Sequence, residues 1–315
     1  MAIMAVFRSI RDDINYAFNN GNMVTRLVII NFAVFASVNI FHFLLWLALG
    51  GDRAHTNEVF NNTLNWLCMP GDWHQLWRVW APITSIFLHE GFWHFLNNII
   101  GLYLFGKIVG DLVGDRRVLP IYLLGGLVGN ALYLLSAQIP QFNVGYYALG
   151  ASGAIMALAG TALILAPDYR VMLFLLGEVK LKYIVLVIVL LDLVGIANQS
   201  NTGGHAAHIG GFLFGCFFVY RLRDGKDMSE WVGRILDTIR GWFFRRPRRN
   251  SASKRRPQPA MKATTFGKAK GSNVSDLPTY SFQDQLDAIL DKIKQQGYDS
   301  LSQEEKDFLY QASKK

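Results

Sequence analysis

Cysteine and charged residues are scarce in this 315-residue chain, and each scarcity excludes a class of protein. The two cysteines, Cys68 and Cys216, are too few for a disulfide framework or a cysteine-based zinc module. Only 17% of the residues are charged, whereas 51% are hydrophobic. The mean hydropathy is +0.22, where a water-soluble domain normally lies below zero. This composition indicates a membrane protein.

The charges are distributed unevenly along the chain. Residues 1–220 carry 11 basic and 11 acidic side chains, so the whole excess of +8 belongs to the remaining tail. The first 220 residues therefore offer no basic surface for nucleic acid, and no nucleic-acid partner is predicted. Residues 245–270 carry ten Lys or Arg and no acidic residue, which is typical of a disordered basic linker. The sequence is compatible with two roles for this linker: contact with anionic lipid, or a simple anchor that fixes the topology.

Six apolar segments are long enough, alone or extended through Gly, Asn or Ser, to form transmembrane helices. They are residues 27–49, 93–106, 118–139, 148–166, 183–197 and 206–220. The segments on one side of these spans hold nine Lys or Arg, against two on the other side. The sequence thus predicts an all-α, polytopic bundle of six transmembrane helices with both termini in the cytoplasm. This topology favours the plasma (inner) membrane.

The composition predicts four parts. They are an amphipathic cytoplasmic segment (1–26), a six-helix membrane domain (27–222) with a long outer loop (50–92), a basic, partly disordered linker (223–278) and a small cytoplasmic helical hairpin (279–315). In the hairpin, Ser302 and Glu305 have the spacing of a capping box. The outer loop is rich in tryptophan, which favours the membrane interface, although the loop could merely connect two spans.

Polar residues cluster where the second, fourth and sixth spans begin. These three spans run in the same direction, so the clusters share one depth in the outer part of the membrane. The clusters are His89, His94, Asn97 and Asn98, then residues 150–153, then residues 203–211. Polar groups that only joined helices together would not need a common depth.

Small residues recur every four positions on the fourth and sixth spans, which allows close helix packing. The stripes consist of Gly153, Ala157 and Thr161, and of Ala207, Gly211 and Gly215. Packing along them would bring the Ser152 hydroxyl and the His208 imidazole within hydrogen-bonding reach.

Two other kinds of protease site fit the sequence poorly. His89 and His94 are five residues apart, about 140° around a helix, whereas a zinc-protease helix needs a spacing of four. Asp192 is the only acidic residue deep in a span, so no aspartate pair is available. No metal and no cofactor are therefore predicted.

Five motifs in a fixed order resemble the rhomboid family of intramembrane serine proteases over about residues 77–220. They are Trp77-Arg78, His89, His94-x-x-x-Asn98, Gly150-x-Ser152-Gly153 and Ala207-His208-x-x-Gly211. The resemblance implies that Ser152 is the nucleophile and that His208 is the general base that activates it. It also implies an oxyanion hole formed by the Ser152 backbone N–H with His94 and Asn98.

The resemblance implies supporting roles for other residues. Trp77, Arg78, Gly150, Gly153 and Gly211 are structural motif positions, and His89 helps to order the long loop. Asp192 is assigned a structural role because the family works with a serine–histidine dyad. His205 is interpreted as a loop residue. Met156 stands where a relative can carry Tyr, and we expect it to alter the tuning of the site.

The sequence therefore predicts a serine endopeptidase that cleaves membrane protein substrates with a transmembrane segment, near the outer membrane face. The alternative is a catalytically inactive rhomboid-like protein that binds or chaperones membrane clients. A transporter or channel is disfavoured because the sequence contains no internal repeat.

Overall fold

The computed structural model describes residues 2–142, 144–175, 177–243, 286, 289, 291–293 and 301–312. The chain forms two compact units, residues 1–248 and 249–315. The helices of the first unit are α1 (Ala2–Asn20), α2 (Met23–Ala48), α3 (Arg53–Leu64), α4 (Ala81–Thr84), α5 (Phe92–Val113), α6 (Asp115–Ala137), α7 (Ser152–Leu165), α8 (Leu181–Ala197), α9 (Thr202–Arg223) and α10 (Glu230–Phe243). The predicted helical fold is confirmed.

Each of the six predicted spans coincides with a helix, namely α2, α5, α6, α7, α8 and α9. Three of them, α2, α5 and α6, are long and apolar enough by length and composition to cross a membrane. Helix α7 is apolar but shorter. The protein is therefore a membrane protein with several apolar helices, and the count of six spans stays a prediction.

Two antiparallel pairs of short strands complete the first unit. Strand β1 (Met69–Pro70) pairs with β2 (Tyr147–Ala148), and β3 (Arg170–Leu173) pairs with β4 (Gly177–Lys180). The first pair joins the outer loop to the segment that precedes α7.

The predicted N-terminal amphipathic segment forms helix α1, which ends at a sharp junction with α2. The Arg26 side chain donates hydrogen bonds to the carbonyl oxygens of Phe18 (2.8 Å) and Asn19 (3.1 Å) at the end of α1. The Asn22 side chain accepts a hydrogen bond from the Thr25 N–H and so caps α2. These contacts satisfy backbone groups that a helix end leaves unpaired.

The core is formed where α6, α7 and α9 approach each other through glycine and alanine. Ten of the fourteen residues of α7 are buried, so this helix is enclosed by its neighbours. A β carbon at Gly125 of α6 would overlap Ala157, and one at Gly215 of α9 would overlap the Ala157 carbonyl oxygen. Thr161 donates a hydrogen bond of 3.3 Å to the Gly215 carbonyl. The predicted packing of the two small-residue stripes is confirmed.

The long outer loop has a packed structure of its own. It contains α3, β1, α4 and two turns of 3₁₀ helix, Trp73–Gln75 and Ser85–Phe87. Three tryptophans pack edge to face, with ring centroids 5.8 Å apart for Trp66 and Trp77 and 5.9 Å apart for Trp77 and Trp80. The Arg78 guanidinium lies 4.3 Å from the centroid of the Trp66 ring, a cation–π contact.

The described part of the tail contains helices on both sides of the basic segment 245–270. Residues 230–243, assigned to a partly disordered linker, form helix α10. In the second unit, helix α11 (Gln303–Ala312) has the predicted capping box, since the Ser302 N–H donates to Glu305 (2.7 Å) and the Glu305 N–H donates to Ser302 Oγ (3.3 Å). The basic segment 245–270 and most of the first helix of the predicted hairpin lie outside the described residues.

Candidate functional site

The segment before α7 is held by three separate parts of the protein. Strand β2 pairs with β1 of the outer loop. The Tyr133 hydroxyl of α6 donates a hydrogen bond of 2.6 Å to the Gly145 carbonyl. The Gly150 N–H donates one of 2.9 Å to the Ser85 carbonyl. The start of α7 is therefore fixed by contacts with both the loop and the core.

Ser152 is the first residue of α7. The predicted span began at residue 148, so the helix begins four residues later than the sequence predicted. At the first helical residue, the backbone N–H has no acceptor within the helix. It is therefore available as a donor at the positive end of the helix dipole.

The residues that adjoin Ser152 and His208 are in contact, because α7 and α9 touch through their backbones at this level. A β carbon at Gly211 would overlap the Gly153 carbonyl oxygen, and one at Gly153 would lie 3.3 Å from the Ala207 carbonyl oxygen. Ser152 precedes Gly153, and His208 follows Ala207. Among the described residues, no hydrogen bond joins the Ser152 hydroxyl to the His208 ring, so hydrogen-bonding reach between these two side chains stays a prediction.

Asp192 of α8 contacts the His208 ring. Its Oδ1 lies 2.7 Å from His208 Nδ1. The Asp192 residue is only 3% exposed, so the aspartate is buried between α8 and α9. A carboxylate can only accept hydrogen bonds, so the His208 Nδ1–H is the donor, and Nε2 keeps a free lone pair.

His205 also contacts Asp192, which sequence analysis did not anticipate. His205 lies in the first turn of α9 and not in a loop, and its Nδ1 lies 2.7 Å from the same Oδ1 of Asp192. Its ring is seated on Gly195 of α8, where a β carbon would overlap the ring. The spacing of His205 and His208, three residues apart, is the signal in the sequence that both rings face α8.

His94 of α5 lies close to Gly150, two residues before Ser152. A β carbon at Gly150 would lie 2.9 Å from His94 Nε2 and 3.6 Å from Ser152 Oγ, so glycine leaves room for the imidazole beside the serine. Gly150 also has a φ of 130°, a backbone conformation that other residues rarely adopt. The buried Asn98 side chain donates a hydrogen bond of 2.8 Å to the His94 carbonyl.

Comparison with known proteins agrees with these motifs. A family model described as the rhomboid domain matches residues 74–225. The putative rhomboid protease YdcA of Bacillus subtilis (strain 168) is 30% identical over 178 residues, which cover 54% of this chain and 80% of that protein. The chain belongs to the rhomboid family. All the candidate site residues of this rhomboid lie within the matched range.

Two mitochondrial relatives are also similar to this rhomboid. Rhomboid protein 1 of Saccharomyces cerevisiae (strain ATCC 204508 / S288c) is 25% identical, over 51% of this chain and 46% of that protein. RHOMBOID-like protein 12 of Arabidopsis thaliana is 30% identical, over 47% of this chain and 48% of that protein. The chain thus spans about half the length of these two relatives. A second family model, described only as a family of unknown function, matches residues 280–315.

The remaining motif residues of this rhomboid support the site from a distance. His89 precedes α5, and its buried ring packs edge to face against His94 and Phe95, with both ring centroids 5.4 Å away. Because His89 lies outside the helix, the angular argument based on helical spacing does not apply to it. Trp77 and Arg78 belong to the aromatic cluster of the outer loop, and Met156 is buried in α7.

Proposed function

We propose that this rhomboid is an intramembrane serine endopeptidase in which Ser152 is the nucleophile and His208 is the general base. The observation that carries the proposal is the orientation of His208. Its Nδ1 is bonded to the buried Asp192. The backbone contact between Gly153, which follows Ser152, and Ala207, which precedes His208, supports the pairing of these two residues. A serine hydroxyl needs such a neighbouring base before it can attack a peptide carbonyl.

In the proposed reaction, His208 Nε2 takes the proton of the Ser152 hydroxyl as the oxygen attacks the scissile carbonyl. The imidazolium then gives that proton to the leaving amine, and water releases the acyl group from Ser152 by the reverse sequence. Asp192 is proposed as a positioning residue. It holds the Nδ1–H tautomer of His208 and stabilises the imidazolium, which goes beyond the structural role predicted from the sequence.

The oxyanion is proposed to bind at the beginning of α7. The Ser152 N–H is free of the helical hydrogen-bonding pattern, and the His94 ring lies over Gly150 next to the serine oxygen. The Asn98 amide uses one N–H for the His94 carbonyl, and its second N–H can serve as a donor. Such prearranged donors stabilise charge that develops in the transition state.

The substrates are proposed to be proteins anchored by a transmembrane segment and cleaved near the outer membrane face. The site lies at the start of α7 and in the first two turns of α9, close to the ordered outer loop. This end of the bundle is the outer one if the ends that are rich in Lys and Arg are cytoplasmic. Attachment of reporter tags to either terminus, followed by protease protection in intact membranes, tests this topology.

The activity is tested by labelling with a fluorophosphonate, which reacts with an activated serine. We expect the detergent-solubilised wild type to be labelled and Ser152→Ala and His208→Ala to lose labelling, because one lacks the nucleophile and the other the base. Matched controls are Ser37→Ala, which removes an exposed hydroxyl of α2, and His74→Ala, which removes an exposed loop histidine. Both controls should be labelled like the wild type.

Two outcomes would contradict the proposal. Labelling that persists in Ser152→Ala would place the reactive serine elsewhere. If a well-folded wild type is not labelled under conditions in which an active relative is, the alternative of an inactive client-binding protein takes precedence. Retained thermal unfolding midpoints in the variants show that lost labelling is not lost folding.

A further inference from the structure

Three side chains beside the proposed catalytic base have the composition of a metal site. Asp192, His205 and His208 offer one ligand atom each, and these atoms all lie within 4.8 Å of one another. Both imidazoles present Nδ1 to the carboxylate at 2.7 Å. Two of the ligands come from successive turns of α9 and the third comes from α8, so the set is held by two packed helices.

The second histidine is positioned by the backbone of the neighbouring helix. The His205 ring lies against Gly195, three residues after Asp192 on the same face of α8. Any larger residue at position 195 would displace the ring. The glycine therefore leaves the space that the His205 ring occupies when its Nδ1 contacts Asp192. In the proposed proteolysis His205 has no role, although it is as closely bound to Asp192 as the base itself.

The hydrogen bonds between these three side chains leave one oxygen of the Asp192 carboxylate unpaired within the described residues. Both histidines bond to Oδ1 of Asp192, whereas Oδ2 is buried and has no hydrogen-bond partner in the described part of the chain. A buried carboxylate with one unpaired oxygen is unfavourable, and a cation bound by the carboxylate and the two nitrogens would neutralise its charge.

We propose that Asp192, His205 and His208 bind a divalent transition-metal ion of the Zn²⁺ type. Two imidazole nitrogens and one carboxylate are a common set of three protein ligands for zinc, with a fourth position left for water. Zn–N and Zn–O bonds of about 2.0–2.1 Å place tetrahedral ligands about 3.3 Å apart. Each histidine nitrogen, now 2.7 Å from Asp192 Oδ1, therefore needs to move about 0.6 Å away from that oxygen to admit the ion, a shift that side-chain torsions provide.

The bound ion would inhibit the protease, a consequence that rests on the proposed function. A neutral imidazole carries one proton. With the metal on Nδ1 of His208, that proton moves to Nε2, which then is a donor and can no longer accept the proton of Ser152. The same ion takes Asp192 away from its positioning role. Micromolar zinc would thus switch the site off reversibly, without contacting the serine.

Binding is tested first, without any need for activity. Full-length Ser152→Ala protein in detergent is titrated with Co²⁺, whose visible absorption reports tetrahedral coordination by nitrogen and oxygen, and then with Zn²⁺, which should displace the Co²⁺. We expect one ion per chain. Adding His205→Ala should weaken binding by at least about 100-fold, since loss of even an outer-shell partner costs 10- to 100-fold. The control substitution His74→Ala, made in the same Ser152→Ala protein, removes an exposed histidine that pairs with an exposed aspartate, and it should leave the metal binding unchanged.

Inhibition is tested second, with fluorophosphonate labelling of the protein that keeps Ser152. Zn²⁺ should slow labelling of the wild type, and EDTA should restore it. Residual labelling of His205→Ala should be insensitive to the same Zn²⁺ concentration.

The two experiments distinguish failure of the metal-site proposal from failure of the protease proposal. Absence of Co²⁺ binding, or binding that His205→Ala does not weaken, overturns the metal site and leaves the protease proposal intact. Metal binding to a wild type that is never labelled confirms the site and contradicts the protease. Binding without any effect on labelling overturns the inhibitory role.

Discussion

Helix α9 is joined to its two neighbours in opposite ways. Towards α7 the contact is made by backbone, because Gly211 and Gly215 leave no space for a side chain against Gly153 and Ala157. Towards α8 the contact at the site is polar, because Asp192 bonds to both histidines. Helix α7 is buried along most of its length, whereas α8 has three buried residues and a row of exposed ones, namely Leu186, Val187, Leu190, Leu191, Leu193 and Val194.

This difference separates the two tasks of the site. The contact between α7 and α9 sets the spacing of the two helices that carry the proposed nucleophile and the proposed base, and it tolerates no added atom because backbone atoms cannot move aside. The contact between α8 and α9 sets the orientation of the base and depends on one carboxylate. Substitutions on the α7 side should therefore affect stability and activity together, and substitutions on the α8 side should mainly affect activity.

The largest effect on stability is expected for Gly211→Ala. The added methyl group would overlap the Gly153 carbonyl and force α7 and α9 apart, at a cost of about 2–3 kcal/mol. Thermal unfolding in detergent should show a lower midpoint, and fluorophosphonate labelling should be lost as well. Gly233→Ala in α10 is the matched control, since a β carbon there meets nothing within 4 Å. An unchanged midpoint for Gly211→Ala would mean that the two helices are not in backbone contact.

A smaller effect, confined to activity, is expected for Asp192→Asn. The amide is similar in size, but it can present N–H to His208 Nδ1 and so favour the wrong tautomer of the base. We expect kcat to fall by about 100-fold with little change in KM, because substrate binding is not touched. Asp168→Asn is the control, since this exposed carboxylate only pairs with Lys180 and Lys182. If Asp192→Asn keeps the wild-type kcat, Asp192 does not position the base and has only the structural role that the sequence predicted.

The smallest effect is expected for Leu191→Ala. This residue neighbours Asp192 but is 61% exposed on the outer side of α8. Truncation of an exposed side chain removes few protein contacts, so the unfolding midpoint and the labelling rate should both stay near the wild-type values. A loss comparable to that of Asp192→Asn would show that the outer face of α8 takes part in catalysis or in substrate binding.

Much of the site could be predicted because its residues are unusual for a membrane span. Ser152, His208, His94 and Asn98 are polar groups in apolar segments at one depth, and the small-residue stripes predicted the close approach of α7 and α9. The glycines of α6 were missed, although Gly125 and Gly129 form the third side of the same contact. A single helix sequence does not say which neighbour a glycine faces.

The positions of Asp192 and His205 show the limit of such prediction. From the sequence alone, Asp192 was interpreted as a structural acidic residue and His205 as a loop residue. Only the packing of α8 against α9, with Gly195 beneath the His205 ring, brings both histidines to one carboxylate. That contact lies between residues 13 and 16 positions apart, across a turn whose geometry the local sequence does not specify.

The sequence by itself determined the membrane character, the helical class, the family motifs and the candidate dyad, because hydropathy and the rarity of polar residues in spans are properties of local composition. The tertiary structure alone decided that the base shares its carboxylate with a second histidine. It also decided that Ser152 stands at the very beginning of α7. Helix ends and contacts between helices depend on which side chains fit together in three dimensions, and no local pattern encodes that fit.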